Sequence, residues 1–454
     1  MATELSEAWE LFESGDSQGA MRMLRSAADR LPPAEIAPLV AELAKGAGFD
    51  DLAEASTALA AGPGEAGRLY TYGYACVERG IDAVAVPALR EALRLVVRTP
   101  APATARTGLF RRKPKPQAVR QPGPQPGPQP GPRKVLLELV SALEGCERHA
   151  EALAVLREHD ARLGDWPDRY LTVYNALMSG QIPLARQVYG ALSAPEGVWV
   201  GPGQRVGRML ERATALPPAD DRDLRGWHYV LTGGLLTTLS PHGFDQGMTG
   251  RWAYLQDDFG NCRHGLERLR AVLAATGRRP DSVALLADRG SRALGLAAAR
   301  LLDVPAAPYR PGTAGVLVVA YDLNECDPAV VAQLRERARG ELLFEHATCW
   351  TDPPAVTADV STLLGQIVNA PWEPGLRFGE DGEPQEDEPD RRSAEELADA
   401  ILAADPAAPE GDGRTPPDPD DALTAFAVRA AGWPAEGPRD GVRSAGPVRS
   451  SRFA

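Results

Sequence analysis

Apolar and small residues recur at intervals of three and four along residues 4–98. This spacing puts them on one face of a helix, so it predicts helices rather than strands. Gly15-Asp16 and Pro32 interrupt the pattern and predict a turn and a helix end. The repeating positions in this first part are Ala8, Leu11, Ala20, Leu24 and Ala27. The pattern therefore predicts a pair of helices joined by a short turn.

Similar spacing returns at four further places. Residues 39–61 carry it weakly, and residues 73–92, 140–156 and 173–189 carry it more clearly. The recurrence resembles the tetratricopeptide repeat, in which small residues let two antiparallel helices approach closely. The resemblance implies up to five helical hairpins, with a groove that binds a protein partner. An ordinary helical domain with an alanine-rich composition is the alternative.

Further along the chain the pattern changes to short apolar runs. Residues 282–287 and 316–321 form two such runs. Between them lie the break Asp288-Arg289-Gly290-Ser291 and an alanine- and leucine-rich segment, 292–302. Two buried strands joined by a crossover helix make a βαβ unit of a parallel sheet. Around this unit the pattern predicts a third strand at 341–344 and helices at 198–216, 261–276, 328–340 and 356–368.

The break after the first strand has the composition of an anion site. Gly290 lets a ligand approach the main chain, Arg289 adds a positive charge, and Ser291 is suited to cap the helix and face a phosphate. Residues 283–308, with their exit Leu302-Asp303-Val304-Pro305, resemble the phosphate-loop strand and helix of type I phosphoribosyltransferases. The resemblance implies that a phosphorylated small molecule binds at the turn. Its predicted contacts are Asp288, Arg289, Gly290, Ser291 and, for a ribose or a metal-bound sugar, Asp322.

The second strand departs from that family's pattern. The family follows four apolar residues with two acidic residues and a loop of Thr, Gly and Thr. Here Ala320-Tyr321 replace the acidic pair, and the loop reads Asn324-Glu325-Cys326-Asp327. A carboxylate about 4 Å from a phosphate charge costs roughly 4 kcal/mol at an effective dielectric near 20. We therefore expect a degenerate ligand-binding domain with no catalytic residue.

The predicted fold is α + α/β: a helical-repeat array, then a small parallel-sheet α/β domain, with a disordered linker and tail. The linker carries nine basic residues and no acidic one, and it repeats Gln-Pro-Gly-Pro from Gln121, which favours an extended chain. The tail holds too few apolar residues to offset its chain entropy, although 393–403 and 421–431 are suited to short helices. The predicted boundaries are 1–97 and 135–200 for the repeats, 98–134 for the linker, 201–376 for the α/β domain and 377–454 for the tail.

The net charge and the cysteine content restrict the expected partners and the expected cellular compartment. The net charge of −13 disfavours a nucleic-acid or membrane-surface binder. The five cysteines form no Cys-x-x-Cys pair, which is typical of reduced thiols in a cytoplasm. The N-terminus is acidic, and the sequence has no apolar run near 18 residues. We expect a cytoplasmic protein with no nucleic-acid or membrane partner.

Two other groups of residues have candidate chemistry. Cys262, His264, His346 and Cys349 are a permissible zinc set by residue type, but Cys-x-His is not a usual zinc spacing. We therefore expect neither a metal nor a cofactor. The glycine- and aromatic-rich segment 225–260 is consistent with a ligand cleft or with a domain interface.

Two functions remain open from these patterns. The first is a non-catalytic adaptor that binds a partner protein through the helical repeats. The second is a phosphoribosyltransferase-like enzyme or a nucleotide or phosphate-sugar sensor. A crevice filled by Trp252 or Tyr254, or facing Glu325 and Asp327, favours the adaptor, and the sequence favours that function.

Overall fold

The computed structural model describes residues 2–98, 130–378, 384–386, 388–406, 408, 410–430, 432–434, 437–448 and 450. The chain divides into two compact units. The first comprises Met1–Ala176 with Ala191–Ser193, and the second comprises Leu177–Gly190 with Ala194–Ala454. Most of the predicted linker lies outside the described residues. Within the described residues, every helix is too short or too polar to cross a bilayer.

The first unit is helical, as predicted. Consecutive helices from α1 to α8 pack in pairs, and Gly15 and Gly80 adopt left-handed backbone conformations at two of the turns (φ 92° and 66°), which favour glycine. Helix α7 begins inside the predicted linker because Pro132 suits a first helical position. The helices are α1 Ala2–Glu13, α2 Ser17–Ala27, α3 Pro33–Ala47, α4 Asp50–Ala61, α5 Ala66–Glu78, α6 Asp82–Arg98, α7 Pro132–Gly145 and α8 His149–Glu158, followed by α9 Tyr170–Met178, whose last two residues belong to the second unit.

Small residues determine how closely these helices pack. A Cβ on Gly73 of α5 would lie 2.6 Å from Cγ of Leu89 on α6, so only glycine permits this approach. Ala20, Leu24 and Cys76, all singled out by the spacing, are fully buried. The periodic positions therefore form the interfaces between the helices of each pair.

The second unit combines helices with a parallel sheet. Its helices are α10 Ile182–Tyr189, α11 Val200–Ala215, α12 Leu224–Thr232, α13 Phe259–Ala275, α14 Arg289–Leu302, α15 Pro328–Leu334, α16 Ala394–Ala403 and α17 Asp420–Arg429. Its strands are β1 Leu235–Leu236, β2 Trp252–Gln256, β3 Ser282–Leu285, β4 Ala306–Pro308, β5 Val316–Ala320, β6 Leu342–Cys349, β7 Val360–Asn369, β8 Leu376–Phe378 and β9 Pro384–Glu386.

The large sheet is parallel throughout and has the order β1-β7-β6-β5-β3-β4, with β2 also pairing with β7. The predicted βαβ unit is confirmed, since β3 and β5 are neighbours and Val283 pairs with Leu317. From β3 the chain passes to β4 on one side and then returns to β5 on the other. This reversal makes the carboxyl ends of β3 and β5 the switch point, where doubly wound folds hold their ligands.

One predicted helix is wrong. Residues 356–368 were expected to be helical, but Val360–Asn369 is the strand β7. Its first six residues are all buried because strands flank it on both edges and the unit covers both its faces. A strand buried on both faces lacks polar alternation, so its periodicity does not separate it from a buried helix.

The tail was predicted to be disordered, but its described residues include helices that pack on the second unit. Helix α16 packs on α14, and α17 packs on α13. Leu397 and Ile401 are fully buried, and Trp433 and Val448 are almost completely so. A few well-placed apolar residues therefore hold this polar segment in the core of the second unit.

A buried charge cluster joins the last part of this segment to the sheet. Arg439 is 1% exposed, and it donates to Asp359 Oδ2 at 2.8 and 3.0 Å and to Glu341 Oε1 at 2.7 Å. Arg337 donates to the other oxygen of Asp359 at 2.6 Å. Every charge in the cluster is therefore paired, as burial requires.

Replacing Arg439 tests whether the segment is integral to the unit. Because Arg439→Leu leaves Asp359 and Glu341 with less compensation in the core, we expect it to lower the free energy of unfolding by about 3 kcal/mol or more. Arg443→Leu, at an exposed position four residues away, is the matched control and should change stability by less than about 0.5 kcal/mol. Chemical denaturation of both variants provides the comparison. Equal stabilities would contradict a packed tail.

Candidate functional site

The structure brings the five predicted site residues to one edge of the sheet, at the switch point between β3 and β5. Ser291 Oγ accepts a hydrogen bond from the amide of Tyr321, at the end of β5, at 2.9 Å. Cys326 Sγ lies 3.5 Å from Asp288 Oδ2 and 3.4 Å from the carbonyl oxygen of Asp322. The turn after β3 and the loop after β5 therefore form one continuous surface. The ligand contacts assigned to these residues stay a prediction.

The first turn of α14 is capped by the protein itself. The carboxylate of Asp288 accepts the amide of Ser291 at 2.8 Å. Asp288 is thus the N-cap, the position that the sequence assigned to Ser291. Because the Ser291 side chain is fully buried and accepts from Tyr321, it links the first turn of α14 to the end of β5 rather than facing a ligand.

An indole ring covers the glycine of the turn. A Cβ on Gly290 would lie 2.8 Å from Cζ2 of Trp372, and Trp372 itself is 4% exposed. Arg289 donates to the carbonyl oxygen of Asp390, and the amide of Asp390 donates to the carbonyl of Trp372 at 3.0 Å. The segment after the sheet therefore closes the place where a phosphate was predicted to approach.

The two aromatic residues whose presence in the crevice would favour the adaptor lie elsewhere. Trp252 pairs with Gly365 on β7, and Tyr254 is 48% exposed. Asp327 caps α15 by accepting the amide of Ala329 at 2.8 Å, and it is exposed, as is Glu325. Trp372 was missed because it lies just after β7, outside the strands of the large sheet. An isolated tryptophan at the end of a predicted domain was the available signal.

The surface beside the turn is rich in carboxylates. Burial, together with the charges of Glu325, Asp288 and Asp352, raises the pKa of Asp322 to about 6. Burial and then the charge of Asp322 raise the pKa of Glu345 to about 8. Both shifts record an environment that already disfavours negative charge, so it also disfavours a bound phosphate.

A second polar cluster lies in the core next to the crevice. Asp257 Oδ2 accepts from the Tyr321 hydroxyl at 2.8 Å, and it lies 3.0 Å from His346 Nε2 and 3.5 Å from Cys262 Sγ. All four residues are buried. Burial alone would raise the pKa of Asp257, but the neighbouring His346 and the hydrogen bonds from His346 and Tyr321 outweigh it and lower that pKa.

Only two of the four residues named as a zinc set take part in this cluster. Cys262 and His346 meet at Asp257, whereas His264 Nδ1 lies 3.1 Å from the carbonyl of Pro406. Cys349 Sγ lies 3.3 Å from the carbonyl of Gln366. Asp257 was missed, since it lies far along the chain from His346 and carries no local motif.

A separate cleft of about 400 Å³ opens between the end of β1, helix α13 and the loop before α17. Arg268 donates to Asp418 at 2.6 Å, so its charge is balanced. Among the described residues, His264 Nε2 and Thr238 Oγ1 are buried polar atoms with no hydrogen-bond partner. Residues lining the cleft include Thr238, Leu239, His264, Arg268, Pro416 and Asp418.

These features define a doubly wound parallel α/β unit whose switch-point crevice is closed from within. Comparisons with protein-family models, curated proteins and solved structures found no match to this chain. The assignment of a function therefore rests on the geometry of the chain itself.

Gly290→Ala tests the closure of the turn. At the second residue of a helix with free space around it, replacing glycine by alanine should stabilise the folded protein by up to about 1 kcal/mol. Because Trp372 occupies the space, we expect Gly290→Ala to destabilise by about 1–3 kcal/mol instead. Gly201→Ala is the control, since Gly201 is also the second residue of its helix and a Cβ there meets nothing within 4 Å. Chemical denaturation of both variants shows whether each substitution raises or lowers the free energy of unfolding. A Gly290→Ala variant more stable than wild type would contradict the closure of the turn by Trp372.

Proposed function

We propose that the protein is a non-catalytic adaptor. In this proposal the helical unit, built on tetratricopeptide-like repeats, binds a partner protein, and the α/β unit is a stabilising domain derived from a ligand-binding fold. The observation that carries the proposal is the indole of Trp372 over Gly290. A phosphate-binding turn needs free amides and open space. Here Asp288 accepts the amide of Ser291, and the indole of Trp372 fills the space.

The charges beside the turn support the same conclusion. Arg289 is exposed and already donates to a main-chain carbonyl. Asp288, Asp322 and Glu345 face the same region, and the raised pKa values of the last two reflect their burial and crowding. A phosphoryl group there would meet carboxylates where an enzyme supplies cations.

The helical unit offers a surface suited to a protein partner. Tyr70 and Tyr74 on α5 stack with ring centroids 6.1 Å apart, and Lys134 of α7 lies 5.1 Å from the Tyr70 ring. Tyr74 is 40% exposed. Helices α5 and α7 also contact each other, so these side chains share one face. Exposed tyrosines are enriched in protein interfaces, since they combine apolar area with a polar tip.

Comparing two exposed tyrosines tests the adaptor. The tagged full chain would be recovered from its own cells as wild type, Tyr74→Glu and Tyr254→Glu, the last being 48% exposed in the α/β unit. We expect one partner protein to be recovered in the same amount per tagged chain with wild type and with Tyr254→Glu. With Tyr74→Glu we expect that amount to fall at least tenfold, which corresponds to a loss of about 1.4 kcal/mol in binding free energy. Circular dichroism checks that both variants fold. Equal recovery with Tyr74→Glu, or no constant partner, would contradict the proposal.

A second candidate function is small-molecule sensing by the cleft beside His264. Its volume of about 400 Å³ lies within the usual range for ligand pockets. The cleft is lined by proline and leucine side chains together with Thr238 and His264, a composition that suits a flat, uncharged ligand with a hydrogen-bonding edge. A nucleobase or nucleoside has this chemistry.

Thermal unfolding of the full chain distinguishes the two candidates. The panel contains nucleobases, nucleosides, nucleoside monophosphates and phosphoribosyl diphosphate with Mg²⁺. A ligand at about 100 times its Kd stabilises by roughly 2.7 kcal/mol. The sensor predicts a shift with nucleobases or nucleosides that His264→Ala abolishes and Arg289→Ala preserves. No shift with any ligand contradicts the sensor, and a shift with phosphoribosyl diphosphate that Arg289→Ala abolishes contradicts the closed turn.

A further inference from the structure

The buried cluster at Asp257 has the geometry of a metal centre. Its three donor atoms are Asp257 Oδ2, Cys262 Sγ and His346 Nε2, and all lie within 4.8 Å of one another. The carboxylate oxygen is 3.0 Å from the imidazole nitrogen and 3.5 Å from the sulfur. In a tetrahedral zinc site with bonds of about 2.0–2.3 Å, neighbouring donor atoms are roughly 3.3–3.8 Å apart. The observed spacings approach those of an assembled ligand set.

A fourth donor completes the set. The Tyr321 hydroxyl lies 2.8 Å from Asp257 Oδ2. Tyr321 directly follows β5, the strand next to β6, which carries His346. Thiolate and imidazole, together with carboxylate and phenolate oxygens, form a borderline-soft set, which favours Zn²⁺ over Mg²⁺ or Ca²⁺. All four residues are buried, which is typical of a closed structural centre rather than of a catalytic one with an open position.

Hydrogen bonding alone leaves this cluster incomplete. His346 is fully buried, yet within the described part of the chain its Nδ1 atom has no hydrogen-bond partner. In a metal-bound histidine, Nε2 coordinates the ion and Nδ1 carries the proton. Thr362 Oγ1 is also unpartnered among the described residues, and both atoms lie within about 3 Å of the position of a Cβ on Gly265. Thr362 is thus placed near the imidazole as a candidate acceptor for that proton.

We propose that Asp257, Cys262, His346 and Tyr321 bind one structural Zn²⁺ ion in the core of the α/β unit. The four residues come from the end of β2, the start of α13, the middle of β6 and the end of β5. The ion would join these elements directly beneath the crevice that Trp372 closes. Binding displaces the thiol proton of Cys262 and the hydroxyl proton of Tyr321 to solvent, moves the imidazole proton of His346 to Nδ1, and involves no redox step. The proposal is independent of the adaptor function.

Metal content of the full chain is the first test. Protein made in zinc-supplemented medium, with an affinity tag that lacks histidine, would be analysed by mass spectrometry for metal per chain. We expect about one Zn²⁺ per chain in wild type and in Cys349→Ser, and less than about 0.1 in Cys262→Ser and His346→Gln. Cys349 is the matched control because it lies outside the cluster. Equal zinc in all four proteins would overturn the assignment.

A measurement on unmodified protein covers the case in which a core variant fails to fold. The wild-type chain would be refolded with Co²⁺ as the only metal, and its absorption recorded. We expect a thiolate-to-cobalt charge-transfer band, with intense visible bands typical of tetrahedral coordination, and a lower melting temperature on chelation. Wild type that holds less than about 0.1 metal per chain and shows no cobalt–thiolate band would establish a purely hydrogen-bonded cluster and overturn the proposal.

Discussion

The carboxylate of Asp359 is the contact on which the α/β unit most depends. Its two oxygens accept from Arg439, Arg337 and the amide of Leu343, while its main-chain oxygen accepts from the amide of Leu235 and the indole of Trp433. One buried residue thus links β1, β6, β7 and the C-terminal segment. Charges in a core are stable only when their partners stay in place. The segment after the sheet therefore belongs to the fold.

The same segment decides what the crevice can do. It places Trp372 over Gly290 and brings the Asp390 carbonyl to Arg289. A doubly wound sheet supplies a ligand site at its switch point only when the loops there remain open. Here the loops are closed by an aromatic ring and flanked by carboxylates. The sheet has the topology of a ligand-binding α/β fold, but Trp372 fills the space at the turn, and Arg289 already donates to a main-chain carbonyl.

Local sequence patterns predicted the helices and strands better than they predicted the contacts between residues far apart in the chain. The spacing of Ala20, Leu24 and Leu89 anticipated the helix pairs because burial on one helical face leaves a local period. The βαβ unit was found in the same way. Arg439, Asp257 and Trp372 were not predicted, since their partners lie far along the chain and a low apolar content concealed the packed tail. The strand β7 was missed because two-sided burial removes polar alternation.

The indole of Trp372 closes the turn at Gly290, and we expect no phosphorylated ligand to bind there. Hydrogen–deuterium exchange of the full chain, with and without phosphoribosyl diphosphate and Mg²⁺, tests it most directly. We expect peptides covering 286–292 and 321–327 to be protected already without ligand, because the packed tail limits local opening, and their exchange to stay the same when the ligand is added. Rapid exchange at the turn that slows when the ligand is added would contradict a closed turn and favour an enzyme or sensor function.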